Sequence, residues 1–148
     1  MALLREAGIL AKASANIDTL AKELGDEVTF VVASEEAMRF VDTSSVRLWV
    51  HGQAPWSDLP FIVLTQRGGG PDNNPAAARL AETLGNVTFL ERPFHPTTFA
   101  SIARTALKAR RRQFEARDIL EELDESRGRL ATAMLAGKLG SWSIDISS

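Results

Sequence analysis

Hydrophobic positions in the first hundred residues alternate between short continuous runs and stretches with helical spacing. Two continuous runs, 28–33 and 60–65, are rich in apolar and β-branched residues, as is typical of buried strands, and a shorter run over 87–90 predicts a third strand. Helical spacing predicts a helix over 17–24 with Asn16 as its cap, a weaker helix over 35–52 and an alanine-rich helix over Pro75–Leu84. This alternation predicts an α/β fold, in which helices cover both faces of a parallel sheet.

Functional side chains in such folds cluster where the strands end. The residues that follow the three predicted strands are 34–36, 65–67 and 91–93. Because parallel strands end at the same edge of a sheet, we expect these residues to lie close together and to form any functional site. A short apolar segment, Ile9–Ala13, is a candidate for a further strand near the amino terminus.

After Pro96 the pattern changes to that of one long helix. Residues 97–137 contain no proline, and small or apolar residues recur at steps of three and four when Gln113 and Arg127 fill the register. This stripe consists of Phe99, Ile102, Ala106, Ala109, Ala116, Leu120, Leu123, Leu130, Met134 and Gly137. Sustained heptad spacing of this kind is typical of a coiled coil.

The predicted helix is too long to bury its whole stripe within one small domain. About 40 residues of helix extend over roughly 60 Å, whereas a domain of about 100 residues has a radius of only about 13 Å. The far end is therefore predicted to contact another chain or domain, through an interface of Ala116, Leu120, Leu123, Leu130 and Met134. The alternative is a solvated charged helix whose apolar residues pack only locally.

Composition excludes several kinds of chemistry. The 148 residues suffice for one domain of average size, and 45% hydrophobic with 24% charged residues is typical of a soluble globular protein. The absence of cysteine excludes disulfides, a thiol nucleophile and thiolate metal sites. No apolar run approaches the ~20 residues of a membrane span, and the amino terminus lacks a signal-peptide core, so we expect a cytoplasmic location and no membrane insertion.

Charge is distributed unevenly along the predicted helix, although the net charge of the chain is only −2. Residues 108–117 hold five basic side chains and one acidic one, and residues 118–125 hold five acidic ones. These neighbouring blocks, and the lack of aromatic residues interleaved in Arg110–Arg112, favour a solvated helix with ion pairs over nucleic-acid binding. Parallel pairing of two helices would place each block beside its own copy, and antiparallel pairing could place opposite blocks together; the pattern leaves both open.

Two other features carry little chemistry. His51 and His95 are the only histidines, and no spacing joins them to carboxylates as a metal site or a catalytic triad, so both are interpreted as surface or loop residues. The run GGGPDNN lacks the Lys-Ser/Thr ending of a phosphate-binding loop, so it is interpreted as a flexible connection.

The segment VTFLERPFHPTTFASIARTALKARRRQ resembles the last strand and helix of two-component receiver domains, in which a lysine-proline dipeptide follows the final strand. Thr65, at the end of PFIVLT, matches the hydroxyl position of that family, and PWSDLP is similar to its approach to the same strand. Further on, Gly137 and Gly140 are predicted to end the helix, and the segment LAGKLGSWSIDI resembles the entry of a PAS sensor domain. Its first strand is predicted from the alternating residues Trp142, Ile144 and Ile146.

The resemblance implies a truncated flavodoxin-like parallel sheet with a long C-terminal coiled-coil helix. It divides the chain into a receiver-like domain over 1–98, a signalling and dimerisation helix over 97–137 and the start of a truncated PAS domain over 138–148. This order is similar to the amino-terminal part of a bacterial sensory-box histidine kinase. It implies a homodimer and downstream PAS and kinase domains in the same polypeptide, and we expect no cofactor.

Departures from the receiver pattern predict a domain without phosphoryl-transfer chemistry. No first strand supplies the acidic pair that would hold Mg²⁺. The phospho-accepting position falls near Ser34, and no histidine lies nearby in sequence to activate a serine. Glu35 and Glu36 are interpreted as surface carboxylates that suit the start of a helix, although they could in principle bind a cation.

The lysine-proline dipeptide of the family is replaced here by Arg92 and Pro93. Arginine keeps the positive charge but is a planar fork instead of a compact ammonium, and we expect it to pair with Glu35, Glu36 or Glu91. The resemblance also implies a cis peptide bond before Pro93. We therefore expect no catalytic residue and no metal site at this edge, and we interpret the domain as a pseudo-receiver.

These patterns together predict a non-catalytic signalling and dimerisation module of a two-component sensor histidine kinase. The alternatives are a phospho-accepting or ligand-binding receiver domain, and the input module of another output enzyme such as a diguanylate cyclase. The absent first strand would leave a gap in the centre of the sheet. We therefore expect either a changed strand order or a strand borrowed from another chain, unless the polypeptide begins further upstream.

Overall fold

The computed structural model describes the backbone of residues 17–39 and 41–140 and the side chains of residues 19–39 and 41–130. A sheet of three parallel strands forms its centre, with β1 (Val31–Ser34), β2 (Phe61–Thr65) and β3 (Val87–Glu91) in that spatial order. The predicted α/β fold is thereby confirmed, and the sheet is consistent with a flavodoxin-like arrangement. No strand pairs with the outer edge of β1 within the described ranges, and the predicted strands at 9–13 and 142–146 lie outside them.

Helices connect and follow the strands. They are α1 (Ile17–Glu23), α2 (Glu35–Arg39), α3 (Ser44–His51), α4 (Pro75–Leu84) and α5 (Pro96–Gly140). The prediction of one weak helix over 35–52 is wrong, because Asp42 Oδ1 accepts a hydrogen bond from the Ser44 backbone N–H (2.9 Å) and α3 begins there as a separate helix. The prediction for α4 is confirmed: Asn74 caps it by accepting from the Ala76 N–H at 3.1 Å.

Strand β2, at the centre of the sheet, is buried on both faces, which explains its continuous apolar run. Phe61 and Val63 of β2 face a core formed with α2, α3 and α4. Ile62, between them, faces the opposite side and packs with Phe99 and Ala103 of α5. Since neighbouring side chains of a strand point to opposite faces, β2 needs apolar residues at nearly every position.

The first part of helix α5 packs against the sheet. Its buried residues there recur at steps of four and three: Phe99, Ala103, Ala106 and Arg110. The chain divides into two compact units, one that ends at Gln113 and one that begins at Phe114. The helix continues through Gly137 as far as Gly140, so the prediction that Gly137 ends it is wrong. None of the helices in the described residues is long and apolar enough to cross a membrane.

Candidate functional site at the carboxyl edge of the sheet

The carboxyl ends of the three strands bring the predicted residues to one edge. Ser34 ends β1, Thr65 ends β2, and the register pairs Thr65 with Glu91 at the end of β3. The Arg92 backbone N–H donates to the Thr65 carbonyl oxygen over 2.7 Å, which extends this pairing by one residue. The Arg92–Pro93 peptide bond is cis, as the resemblance implied.

Ser34 directly precedes helix α2. Its Oγ accepts a hydrogen bond from the Ala37 backbone N–H over 3.2 Å, three residues further on, which is the geometry of a helix N-cap. This contact explains why the chain turns from strand to helix within one residue. In the described chain no carboxylate or imidazole is hydrogen-bonded to the Ser34 hydroxyl, so the contacts of this side chain are those of a cap.

Glu35 is buried, and the prediction that it lies on the surface is wrong. Only 1% of the residue is exposed, and its carboxylate accepts hydrogen bonds from Arg39 Nε (2.7 Å) and Nη2 (2.5 Å). The spacing of four residues brings the two side chains together on one face of α2. The hydrogen bond to Glu35 raises the pKa of Arg39 above its usual value. A buried carboxylate requires such a partner, because desolvation of an unpaired charge is very costly.

Glu36 pairs with Arg92, as expected from the sequence. Arg92 Nη2 donates to Glu36 Oε1, and this hydrogen bond is the main reason that the pKa of Glu36 lies below its usual value. Glu36 follows β1 by two residues and Arg92 follows β3 by one residue. The ion pair therefore spans the end of β2, the strand between them, at the position of Thr65.

Thr65 is fully buried, and its Oγ1 has no hydrogen-bond partner within the described residues. The loop after β2 packs closely beside it. A Cβ added to Gly69 would lie only 2.9 Å from the Gln66 carbonyl oxygen and 3.2 Å from Thr65 Cβ, so the backbone approaches to a distance that only glycine allows. The hydroxyl is thus a buried polar group beside the glycine loop.

The candidate metal ligands of this chain, which has no cysteine, are carboxylates and histidines. Among the residues that the structure describes, no three or more His, Asp or Glu side chains are grouped so that they could hold a metal ion. His51 and His95 are both exposed, and His95 Nδ1 accepts from the Thr97 backbone N–H (3.1 Å) at the start of α5. The two carboxylates nearest to Ser34 are each bound by an arginine. The contacts at this edge cap helix α2 and join the residues that follow β1 and β3.

The predicted interface on α5 is exposed where its side chains are described. Leu120, Leu123 and Leu130 are 47%, 46% and 61% exposed. Ala116 is also exposed, and the side chain of Met134 lies outside the described residues. Ile119, which the stripe omitted, is a further large exposed apolar residue beside it.

An extended polar network lies at the other edge of the sheet and was not predicted. Arg110, assigned from its charged neighbours to a solvated cluster, is fully buried, and that prediction is wrong. The signal that could have revealed it is its position, since it continues the helical spacing of Phe99, Ala103 and Ala106. Residues that are adjacent in sequence lie on different faces of a helix, so the charges beside Arg110 in the sequence do not indicate which face it occupies.

Comparison with models of known protein families gave no match, and comparison with curated proteins gave none either. The class of protein that the structure defines is an α/β unit with a parallel sheet, whose last helix continues as a charged helix with an exposed apolar stripe.

Proposed function

We propose that this chain is a non-catalytic signalling and dimerisation module of a sensor histidine kinase. In this proposal the α/β unit is a pseudo-receiver, and α5 pairs with α5 of a second copy and relays a conformational signal to a downstream PAS domain. The observation that carries the proposal is the exposed apolar stripe of α5, in which Leu120, Leu123 and Leu130 recur at steps of three and seven, as in a heptad repeat.

The stripe is best explained by a partner helix. Within the first unit, the stripe residues Phe99 and Ala106 are buried against the sheet. From Phe114 onwards the same spacing places Leu120, Leu123 and Leu130 in solvent. Exposed aliphatic residues at heptad spacing gain free energy when they pack between helices. A second copy is the occupant that we favour, because it presents a stripe of identical length and spacing.

The carboxyl edge supports a structural role for the α/β unit. Ser34 caps α2, Glu35 is held by Arg39, and Glu36 neutralises Arg92. A serine nucleophile needs a general base within hydrogen-bond reach. The carboxylates that could serve are already engaged by cations, which favours a non-enzymatic role.

Sedimentation equilibrium of the full chain tests the proposal. We expect a dimer for the wild type and a monomer for the double variant Leu120→Lys with Leu123→Lys, since two charges would then lie in the seam. Leu48→Lys is the matched control, because Leu48 is strongly exposed and belongs to α3, not to the stripe. A wild-type monomer at high concentration, or equal dissociation by the control, would contradict the proposal.

A second candidate function is phosphoryl acceptance or ligand binding at the carboxyl edge, and the buried Thr65 hydroxyl, which has no partner among the described residues, favours it. Incubation with a small phosphodonor and Mg²⁺, followed by mass spectrometry of the intact chain and its peptides, separates the two functions. We expect no incorporation. Phosphate on Ser34 would overturn the non-catalytic proposal.

A further inference from the structure

Arg110 connects α5 to the segments that precede two strands. Its Nε donates to the Val28 carbonyl oxygen (2.8 Å), ahead of β1, and its Nη1 donates to Ser57 Oγ (2.8 Å), ahead of β2. The guanidinium also lies 5.6 Å from the ring centroid of Trp56, within the range of a cation–π interaction. A buried arginine is stable only where such partners replace its hydration.

Gln113, one turn further along α5, extends the network. Its Oε1 accepts from Arg110 Nη1 and from the Asp58 backbone N–H, each over 2.7 Å. Its Nε2 donates to the Asp58 carbonyl oxygen (2.8 Å), which also accepts from Asn86 Nδ2 (3.0 Å). Asn86 directly precedes β3, so the segments before all three strands meet at one turn of the helix.

This turn is the last one of the first unit. Gln113 ends that unit, and Phe114 begins the segment that carries the exposed stripe. Because helical hydrogen bonds form cooperatively, a change in the stability of residues 110–113 alters the stability of the turns that follow. Any event that shifts the loops before β1 or β2 therefore acts on the helix at this point.

We propose that Arg110 and Gln113, which we call the clamp, couple the amino edge of the sheet to pairing of α5. This inference rests on the proposed dimerisation. The coupling acts in both directions, from the loops to the pairing of α5 and from the pairing to the loops, because a free energy of coupling is reciprocal. Loosening the loops before the strands weakens the dimer, and dimerisation in turn stabilises those loops.

Two variants that alter the contacts of the clamp provide the test, and one of them lies outside α5. Ser57→Ala removes one acceptor of Arg110, and Arg110→Lys keeps the charge but loses the planar fork. The control is Asn74→Ala, which removes the cap of α4 and thus destabilises the same unit away from the clamp. We expect the dimer dissociation constant of the full chain to rise at least fivefold in both clamp variants and less than twofold in the control.

Hydrogen exchange tests the reverse direction. The Asp58 amide, which donates to Gln113, should exchange at least threefold faster in the monomeric Leu120→Lys, Leu123→Lys variant than in the wild-type dimer, whereas the Ala76 amide should not change. A monomeric wild type overturns both the proposed function and the clamp. A wild-type dimer whose affinity is unchanged by Ser57→Ala, or weakened as much by Asn74→Ala, overturns the clamp alone.

Discussion

Arg92 donates a hydrogen bond to the carboxylate of Glu36, and this ion pair joins the residues that follow the two outer strands of the sheet. Thr65, at the end of the strand between them, is covered and has a buried hydroxyl. The positive charge that Arg92 could offer to an anion is already bound by a carboxylate of the chain. An incoming anion would have to displace Glu36, which supports the structural role proposed for this edge.

Replacing Glu36 with glutamine is expected to remove part of the acid dependence of stability. The hydrogen bond from Arg92 holds the pKa of Glu36 below its usual 4.5 in the folded chain. The resulting stabilisation is present above about pH 4.5 and is lost as the pH falls through the lower folded pKa. Both side chains are about one third exposed, so the pair contributes at most about 1 kcal/mol.

Urea unfolding at a series of pH values checks this prediction. The difference in unfolding free energy between the wild type and Glu36→Gln should be largest near neutral pH and should shrink in acid. Glu82→Gln, at an exposed position of α4, is the control and should change little. A wild-type advantage over Glu36→Gln that stays constant down to about pH 3 would contradict the assigned cause.

Thr65→Val is expected to leave the free energy of unfolding unchanged or to raise it by up to about 1 kcal/mol. The reason is that it removes a buried hydroxyl that has no partner in the described chain. Thr65→Ala also removes a methyl group and should destabilise by about 1 kcal/mol through the space left behind. Thermal unfolding of the two variants and the wild type measures both effects. Strong destabilisation by valine would show that the hydroxyl makes a stabilising contact.

Local patterns were sufficient to predict the elements whose stability is local. Strand β2 was predicted to within one residue, because apolar residues on both faces leave few alternatives. The start of β1 was predicted three residues too early. Val28 precedes the strand, and its carbonyl oxygen is bound by Arg110, which lies 82 residues away. No pattern near residue 28 contains that information.

The candidate site was predictable to the extent that it depends on strand ends. A parallel sheet places 34–36, 65 and 91–93 at one edge, so a pair between Arg92 and a nearby glutamate could be expected. The burial of Glu35 could not be expected from the sequence, because it depends on how a helix of only five residues packs against the sheet. Residue type alone suggested that both glutamates lie at the surface.

Ser34→Ala is expected to destabilise the protein by about 1 kcal/mol, since the hydroxyl caps α2. Ser34→Asp should retain most of that stability, because an aspartate accepts the same hydrogen bond from the Ala37 N–H. Chemical denaturation compares the two variants with Ser101→Ala, an exposed serine of α5 that should change little. Equal losses for alanine and aspartate would argue against the capping role.

Arg127 interrupts the exposed stripe between Leu123 and Leu130, and its replacement by leucine is expected to strengthen pairing of α5. A leucine at this heptad position would be buried in the seam, and burial of one leucine contributes about 1.5–3 kcal/mol, or at least about tenfold in the dissociation constant. Sedimentation equilibrium measures this change.

Arg129→Leu is the matched control for that variant. Arg129 is also exposed and lies two residues away on the same helix, but it does not belong to the stripe. Its ion pair with Glu125 (3.8 Å) is exposed and contributes little free energy. Leucine there adds the same apolar surface at a position that does not face a partner, so the dissociation constant should change by less than about threefold. Equal tightening by both variants would show that general hydrophobicity drives association, whereas a gain confined to residue 127 would assign the seam to the predicted stripe.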